Sequence, residues 1–270
     1  MTQASPSQRD LAARADALRA LHRPGRPLVL PNVWDAASAR VVAAAGFPAL
    51  ATSSAAVAAS LGWADGEQLP PDEMFAAVGR VARVSDLPLT ADIESGYGLG
   101  AEQLVERLLA AGAVGCNLED SDPSTGRLRP IEEQADRLAR VREAATAAGV
   151  GLVLNARVDV FLPRVQGVQD GVQDGAQDGV EDRAGEAVRR GRRYLEAGAD
   201  CVYPILAPLE TLDGLVREIG GPVNAIATPD AAVIAALTAT NVARISLAGS
   251  LFRAAQDQLR ALVEGLEPQG

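Results

Sequence analysis

The chain has 270 residues, of which 25 are basic and 35 acidic, so its formal net charge is -10, and 48% of its residues are hydrophobic. This balance is typical of an acidic globular protein and predicts no nucleic-acid partner, because a phosphate backbone attracts the opposite charge. No apolar run is long and uncharged enough to predict a membrane span, and the charged amino terminus predicts no signal peptide.

The basic residues exclude several classes of enzyme. All 25 are arginine, and histidine occurs only once, as His22. Without lysine there is no Schiff-base aldolase, no pyridoxal-phosphate enzyme and no Walker-type phosphate loop, and one histidine cannot build a three-histidine zinc site. The two cysteines, Cys116 and Cys201, cannot form a disulfide framework. This predicts a protein of the reducing cytoplasm.

Short runs rich in Val, Leu and Ile alternate with longer Ala/Leu/Arg segments, which is the pattern of a parallel α/β sheet. Ala-Gly pairs that end at Gly46, Gly112, Gly149 and Gly198 predict helix ends just before strands. We predict eight strands: Leu28–Pro31, Ala49–Ser53, Leu89–Ile93, Gly115–Glu119, Leu152–Ala156, Cys201–Ile205, Val223–Ala227 and Ala243–Leu247.

Eight such strands favour a single (β/α)8 TIM-type barrel over residues 1–270, with a helical segment at the carboxyl terminus. An open doubly wound sheet is the alternative, but a Gly-rich phosphate loop does not follow the first strand. Residues 165–182 repeat a V-Q-D-G unit, which we interpret as a flexible low-complexity insertion rather than a calcium site at Asp170, Asp174 and Asp178.

Acidic residues crowd the predicted carboxyl ends of the strands, where a barrel places its reactive groups. Asp92 and Glu94 end the third strand two residues apart, a spacing that points both side chains to the same side of the strand. Glu119 ends the fourth strand. Asp65 lies in the loop after the second strand, and taken alone it could be an ordinary loop acid. Converging carboxylates raise each other's pKa unless a cation neutralises them. Oxygen ligands without available His or Cys predict Mg²⁺ or Mn²⁺.

Arg157 ends the fifth strand, on the same side as Asn155 and Asp159. It either forms a structural ion pair or grips a substrate carboxylate in a bidentate fork. After the second strand, Ser53, Ser54 and Ala55 supply hydroxyls and backbone N–H groups for an anionic oxygen. Trp34 either walls a pocket or fills the core, and Cys116 is expected to be a packed thiol because its parity differs from that of Glu119.

Several segments resemble, in order, the signature segments of the isocitrate lyase/phosphoenolpyruvate mutase family. They are P-N-V-W-D-A-A-S-A-R, T-S-S-A-A-V-A-A-S-L-G-W-A-D, A-D-I-E-S-G-Y-G, N-L-E-D, N-A-R-V-D, V-N-A-I-A and A-R-I-S-L-A-G-S-L-F-R. The resemblance runs from about Leu28 to Arg253 and is specific when the segments are taken together.

The resemblance implies a modified barrel, usually assembled as a homotetramer of swapped-helix dimers, that handles small 2-oxo or 2-hydroxy acids through a Mg²⁺-bound enolate. It makes Asp92 the direct metal ligand and Asp65, Glu94 and Glu119 the acids that hold the metal's water shell. It also implies that the substrate is held by Arg157, by the turn of Ser53, Ser54 and Ala55, by the Trp34 wall and by Asn224.

One departure from the family pattern affects the expected reaction. The segment from Asp120 to Leu128 lacks the Lys-Lys/Arg-Cys-Gly-His loop that carries the acid/base cysteine of isocitrate and methylisocitrate lyases, and the mutase gate is also missing. We therefore predict a Mg²⁺-dependent carbon–carbon lyase or decarboxylase of small 2-oxo or 2-hydroxy di- or tricarboxylic acids. Tyr97, Glu119 or a metal-bound water carries the proton. The alternatives are phosphorus–carbon chemistry on phosphonopyruvate and a non-catalytic barrel that binds 2-oxo acids.

Overall fold

A computed structural model describes residues 7–163 and 178–266 of the chain. Its helices are α1 Gln8–Ala20, α2 Ala36–Ala44, α3 Ser54–Ser60, α4 Pro71–Ala82, α5 Ala101–Ala110, α6 Ile131–Ala147, α7 Asp178–Glu196, α8 Leu209–Ile219, α9 Ala231–Ala239 and α10 Ser250–Glu264. Its strands are β1 Leu28–Leu30, β2 Asn32–Val33, β3 Leu50–Thr52, β4 Leu89–Asp92, β5 Gly115–Glu119, β6 Ser121–Asp122, β7 Arg127–Leu128, β8 Val153–Val158, β9 Cys201–Pro204, β10 Asn224–Ile226 and β11 Arg244–Ser246.

The parallel strands form a ring. One run has the order β2-β3-β4-β5-β8-β9, and the other has the order β1-β11-β10. Only Pro31 separates β1 from β2, so these are two segments of one strand. At the other junction Val202 of β9 pairs with Val223, just before β10, in a parallel bridge. The eight strands therefore return to their start, and the fold is the predicted (β/α)8 barrel.

Helix α1 covers the amino-terminal end of this ring. It begins with a capping box, in which Ser7 Oγ accepts from Asp10 N–H and Asp10 receives the Ser7 N–H. Its residue Leu18 is fully buried against the first residue of β5, Gly115. A Cβ on Gly115 would stand 2.9 Å from Leu18 Cδ2, so the absent side chain permits the close approach. The site therefore lies toward the other, carboxyl-terminal end.

All eight predicted barrel strands are confirmed, with small shifts of their ends. The strand predicted to end at Ala156 continues to Val158, so Arg157 lies within it. The glycines predicted to end helices, Gly46, Gly112, Gly149 and Gly198, all have positive φ. Cys116 is fully buried, as predicted, and burial raises the pKa of its thiol to about 12.

The predicted insertion needs one correction. Helix α7 begins at Asp178, so the last residues of the proposed 165–182 segment are helical, including Asp178 of the alternative calcium site. Extending an existing helix adds a hydrogen bond for each residue fixed, which offsets the low helix propensity of a glycine. The rest of the insertion, up to residue 177, lies outside the described residues.

No helix within residues 7–163 and 178–266 combines the length and apolar character that crossing a membrane requires.

Helix α10 confirms the predicted carboxyl-terminal helical segment. It contains no buried residue, and apolar side chains stand in solvent along it and just beyond it. These are Leu259, Leu262, Val263 and Leu266, which are 54 to 70% exposed. A helix with such a face ordinarily packs against a partner.

Candidate functional site

Asp92 lies at the carboxyl end of β4 and is fixed by the neighbouring strand. Its backbone N–H donates to Thr52 Oγ1 (2.9 Å), and Ser54 donates to Asp92 Oδ2 from both its N–H (3.2 Å) and its Oγ (2.8 Å). The other oxygen, Oδ1, is buried and accepts no hydrogen bond from the described residues. A buried carboxylate oxygen without a donor points to a ligand from outside the chain.

Glu94 is brought to the same place by a turn rather than by strand alternation. The strand ends at Asp92, and Glu94 has a left-handed backbone, φ 52°, which corrects the expectation that parity along the strand would align the two acids. Glu94 accepts from Tyr97 Oη (2.7 Å) and from the Glu67 N–H (2.6 Å). Burial raises the pKa of Glu94 to about 7, with Asp65 and Asp92 adding to the rise.

Glu67 holds this turn and was not singled out in the sequence. Its carboxylate Oε1 accepts from Ser95 Oγ (2.7 Å) and from the Tyr97 N–H (2.7 Å). Both Glu67 and Tyr97 have positive φ, at 58° and 56°, a conformation that non-glycine residues adopt only when their surroundings require it. The loop that carries Asp65 and Glu67 is thus joined to the loop that carries Glu94. Only local turn geometry, which the sequence does not show, could have identified this link.

Arg157 forms the ion pairs that were one of its two predicted roles. Its Nε and Nη2 donate to Asp159 Oδ1 (2.7 Å) and Oδ2 (3.1 Å), and its Nη1 lies 2.6 Å from Glu119 Oε2. Burial opposes the charge on Arg157, but Asp159 and Glu119 raise its pKa above the ordinary value. Burial also raises the pKa of Glu119; Asp159, Asp92 and Glu94 add to the rise, and Arg157 opposes it.

The register of the ring aligns five polar residues across five neighbouring strands. Glu119 pairs with Arg157, Arg157 with Tyr203, and Asn224 with Arg244. The Val202–Val223 bridge places Tyr203 beside Asn224. Paired residues of parallel strands point to the same side, so the row faces the barrel interior as a group. Sequence reasoning identified Glu119, Arg157 and Asn224 but missed Tyr203 and Arg244, although the parity of the predicted sixth and eighth strands indicates both.

The side chains around Arg244 in the barrel interior are also polar. Arg244 is fully buried, and its Nη2 donates to Asn117 Oδ1 (3.2 Å), which also accepts from Asn155 Nδ2 (2.8 Å). Asn224 exchanges hydrogen bonds with Ser246 Oγ at 3.1 and 3.3 Å. Burial lowers the pKa of Arg244, and within the part of the chain that the structure describes it forms no ion pair with a carboxylate. The barrel interior therefore carries a second cation, Arg244, in addition to Arg157.

The remaining predicted substrate residues lie near the mouth of the barrel. Ser53 is buried and caps α3, because its Oγ accepts from Ala56 N–H (3.4 Å), and Ala55 is half-buried beside it. Trp34 is half-buried and meets Phe252 of α10 edge to face, with ring centroids 5.2 Å apart. The Ser54 hydroxyl is engaged by Asp92, so its predicted contact with a substrate stays a prediction.

The donor set fits a hard divalent cation, although the ligand side chains are not gathered around one point. The described residues contain no group of three or more His, Cys, Asp or Glu side chains already arranged to hold a metal. The buried, unpartnered Asp92 Oδ1 and the acids near it nevertheless offer oxygen ligands. These acids also repel one another, and the positive charge of Mg²⁺ or Mn²⁺ would relieve that repulsion. Asp92, Asp65, Glu94 and Glu119 are the residues that would bind it.

Acids and an arginine at the carboxyl ends of the strands are typical of the active sites of α/β-barrel enzymes that act on small ligands. The family model described as phosphoenolpyruvate phosphomutase matches residues 18–267, and the chain belongs to this family. The resemblance drawn from the sequence segments is therefore confirmed.

Curated relatives carry the names of mutases and lyases. The chain is 35% identical over 205 residues to the chloroplastic carboxyvinyl-carboxyphosphonate phosphorylmutase of Arabidopsis thaliana, covering 72% of this chain and 54% of that protein. It is 30% identical over 207 residues to a 2-methylisocitrate lyase of Bacillus subtilis strain 168, covering 73% and 60%. The chain thus spans little more than half of each of these two relatives, and belongs to an enzyme family of lyases and mutases.

Solved structures agree with the fold. A Burkholderia cenocepacia J2315 protein, provisionally described as a phosphonomutase, is 42% identical with a TM-score of 0.82, covering 93% of this chain and 99% of that one. An oxaloacetate acetylhydrolase bound to oxalate has a TM-score of 0.80, covering 96% and 88%, but at 21% identity it supports the fold alone.

Proposed function

We propose that the protein is a Mg²⁺-dependent carbon–carbon lyase or decarboxylase of small 2-oxo or 2-hydroxy di- or tricarboxylic acids. One observation carries the proposal: Asp92, with its unpartnered Oδ1, and Glu94 lie close enough to Glu119 to raise its pKa, and Glu119 forms an ion pair with Arg157. A site that combines oxygen ligands for a cation with a guanidinium suits a substrate that has both a chelating oxygen pair and a further carboxylate.

The chain's own residues would bind and orient the substrate. As the family resemblance implies, Asp92 would hold the metal directly, and Asp65, Glu94 and Glu119 would hold it through water. A bound Mg²⁺ supplies a Lewis acid that polarises the substrate oxygens. Arg157 Nη1 makes no hydrogen bond within the described residues, although it lies close to Glu119, so its N–H groups can turn to a carboxylate. Ser53, Ser54 and Ala55 bind a second anionic oxygen, and Trp34 and Asn224 complete the pocket.

The proton required by cleavage comes from Tyr97, Glu119 or a water molecule. The Tyr97 hydroxyl already donates to Glu94 at 2.7 Å, and burial raises its pKa, so it stays protonated at neutral pH. Burial keeps the pKa of Glu119 high as well. Tyr97 therefore satisfies the first requirement of a general acid, which is to hold a proton at the working pH, whereas Glu119 lies in an ion pair with Arg157.

The segment after β5 narrows the choice of substrate. Residues 120–128 form a short hairpin of β6 and β7, in which Ser121 pairs with Leu128, and contain no Cys, Lys or His. Isocitrate and methylisocitrate cleavage, which depends on a loop cysteine in the family pattern, is therefore not the expected reaction. Oxaloacetate and alkylmalates are the preferred substrates of this proposal.

A substrate panel tests the proposal directly. Purified protein is incubated with oxaloacetate, isocitrate, methylisocitrate and alkylmalates, first with Mg²⁺ and then with EDTA, and pyruvate, glyoxylate and succinate are measured. We expect turnover of at least one substrate that stops on chelation and returns when Mg²⁺ is restored in excess. Turnover that is unaffected by EDTA contradicts the metal requirement, and no turnover of any substrate contradicts the lyase assignment.

Phosphorus–carbon chemistry is the second candidate. The 35% identical phosphorylmutase and the 42% identical Burkholderia protein support it, because both descriptions refer to phosphonate chemistry. Phosphonopyruvate offers the same carboxylate and 2-oxo group as the first class of substrates. Release of inorganic phosphate from phosphonopyruvate, or its conversion to phosphoenolpyruvate, distinguishes this reaction from decarboxylation of oxaloacetate.

We also propose that the protein is a cytoplasmic homo-oligomer assembled through α10. The exposed apolar residues Leu259, Leu262, Val263 and Leu266 support the assembly, and the free, buried thiols of Cys116 and Cys201 support the location. Light scattering coupled to size exclusion is expected to give a dimer or tetramer. Leu262→Glu should lower that mass, whereas an unchanged mass would place the interface elsewhere.

A further inference from the structure

Tyr203 occupies the centre of the polar row in the barrel interior. It lies between Arg157, its register partner on β8, and Asn224, its neighbour across the Val202–Val223 bridge. Both neighbours belong to the proposed substrate pocket. The adjacent residue Val202 packs in the hydrophobic layer between strands and helices, so Tyr203 points the opposite way, into the interior.

The hydroxyl of Tyr203 has no hydrogen-bond partner among the residues that the structure describes. Tyr97 donates to Glu94 at 2.7 Å and Tyr194 to Asp120 at 2.9 Å, but across residues 7–163 and 178–266 Tyr203 takes part in no hydrogen bond. Tyr203 is nevertheless only 3% exposed. A tyrosine hydroxyl that makes no hydrogen bond to the protein is open to a partner from a bound molecule.

The surroundings of Tyr203 favour an acceptor with negative charge. Burial raises the pKa of Tyr203; Arg157 and Arg244 oppose the rise and Asp92 and Asp159 add to it, so the hydroxyl is protonated at neutral pH and donates. The two cations flank Tyr203 along the row, one on each side. A neutral donor between two guanidinium groups is suited to an anionic oxygen rather than to a cation or an apolar group.

We propose that the Tyr203 hydroxyl donates a hydrogen bond to a carboxylate or 2-oxo oxygen of the bound acid, and so selects substrates that carry an oxygen at this position. The inference rests on the proposed function, since it names a binding residue of the same site. A ligand oxygen held here would also lie within reach of Arg157, which shares the register position. The pocket then recognises one oxygen by a charged donor and a neutral donor together.

Oxalate, the smallest dicarboxylate, is the probe, and calorimetry in the presence of Mg²⁺ gives its Kd without any need for turnover. We expect Tyr203→Phe to raise this Kd by about ten- to a hundredfold, because a site built to hydrogen-bond an oxygen loses affinity for it when the donor is removed. Tyr194→Phe is the matched control, because it deletes another buried hydroxyl outside the barrel. Its Kd should stay within twofold of the original protein, whereas its Tm should fall and that of Tyr203→Phe should not.

A Kd for Tyr203→Phe within twofold of the original overturns the inference. So does a fall in its Tm as large as that of Tyr194→Phe, because the hydroxyl would then serve stability. If the unchanged protein binds neither oxalate, pyruvate nor phosphonopyruvate, the proposed function itself is overturned, which is a different result.

A second measurement uses the unmodified chain. Because the sequence holds only three tyrosines, ¹³Cζ-tyrosine labelling gives three NMR signals, which the single Phe variants assign. Titration with oxalate and Mg²⁺ should shift the Tyr203 signal and leave that of Tyr194 in place. Saturable binding with a stationary Tyr203 signal contradicts the inference, even if Tyr203→Phe does not fold.

Discussion

Replacing Arg157 tests whether its ion pairs are essential to the barrel. Its guanidinium lies between two acids, Glu119 Oε2 at 2.6 Å and Asp159 Oδ1 at 2.7 Å, and all three side chains are less than a tenth exposed. In Arg157→Ala both acids remain buried without a counter-ion. Removing one partner of a buried pair costs about 3–5 kcal/mol, so we expect the free energy of unfolding to fall by about that amount.

Urea denaturation followed by circular dichroism measures this loss. The matched control is Arg217→Ala, because Arg217 forms an ion pair with Asp213 whose side chains are 73% and 61% exposed. Such a surface pair contributes less than about 1 kcal/mol, so the control should unfold almost like the original protein. Arg157→Lys keeps one charge but not the fork, and should lie between the control and Arg157→Ala.

A double-mutant cycle with Asp159→Asn isolates the pair. The hydrogen bonds from Arg157 to Asp159 couple the two residues, so the double variant should be less destabilised than the sum of the single variants, by about 1–3 kcal/mol. Additive losses, or an Arg157→Ala loss no larger than that of the surface control, would refute this reasoning. Arg157 would then not contribute to the stability of the barrel, and its guanidinium would be available to bind a substrate.

Three further predictions concern parts of the fold outside the row. Burial, reinforced by Arg244, lowers the pKa of His22 to about 4, so the unfolded chain takes up a proton first as the pH falls below 6.5. Urea unfolding should therefore show the original protein losing about 2 kcal/mol more than His22→Gln between pH 7.5 and pH 5, and an equal loss would contradict the lowered pKa. Gly115→Ala should cost about 1–3 kcal/mol in the same assay, since its Cβ would stand 2.9 Å from Leu18 Cδ2; an unchanged stability would show that α1 can shift. Tyr194→Phe should cost about 1–3 kcal/mol, because Asp120 loses a buried donor, and retained stability would mean that water replaces the hydroxyl.

The sequence predicted those site residues whose position depends on strand ends alone. Asp92 lies at the end of β4 and Glu119 at the end of β5, and parity along β8 placed Arg157 and Asp159 on one side, as their hydrogen bonds confirm. These inferences need only the period of a strand and the rule that reactive groups lie at the carboxyl end. The ring of strands followed from the same pattern of alternating segments.

What the sequence could not predict depends on turns and on closure of the ring. Glu94 reaches the site through a left-handed residue, and Glu67 meets it only because two loops are tied together. Left-handed conformations of non-glycine residues are not encoded by local propensity, so no sequence pattern predicts them. Tyr203 becomes a neighbour of Asn224 only when the Val202–Val223 bridge joins the two runs of strands.

The barrel interior departs from the rules of a stable core in a consistent way. Among the described residues, Arg244 is buried without a carboxylate partner, and Asp92 Oδ1 and Asn155 Oδ1 are buried without hydrogen-bond donors. Each of these groups alone would destabilise the fold, and each would gain a partner from a bound cation or a bound acid. Arg244 Nη1 is an unmet donor and Asp92 Oδ1 is an unmet acceptor among the described residues, so a bound acid would satisfy the first and a bound cation the second. Natural sequences keep such unpaired groups where binding supplies the missing interactions, which makes this interior the site on which the proposed chemistry rests.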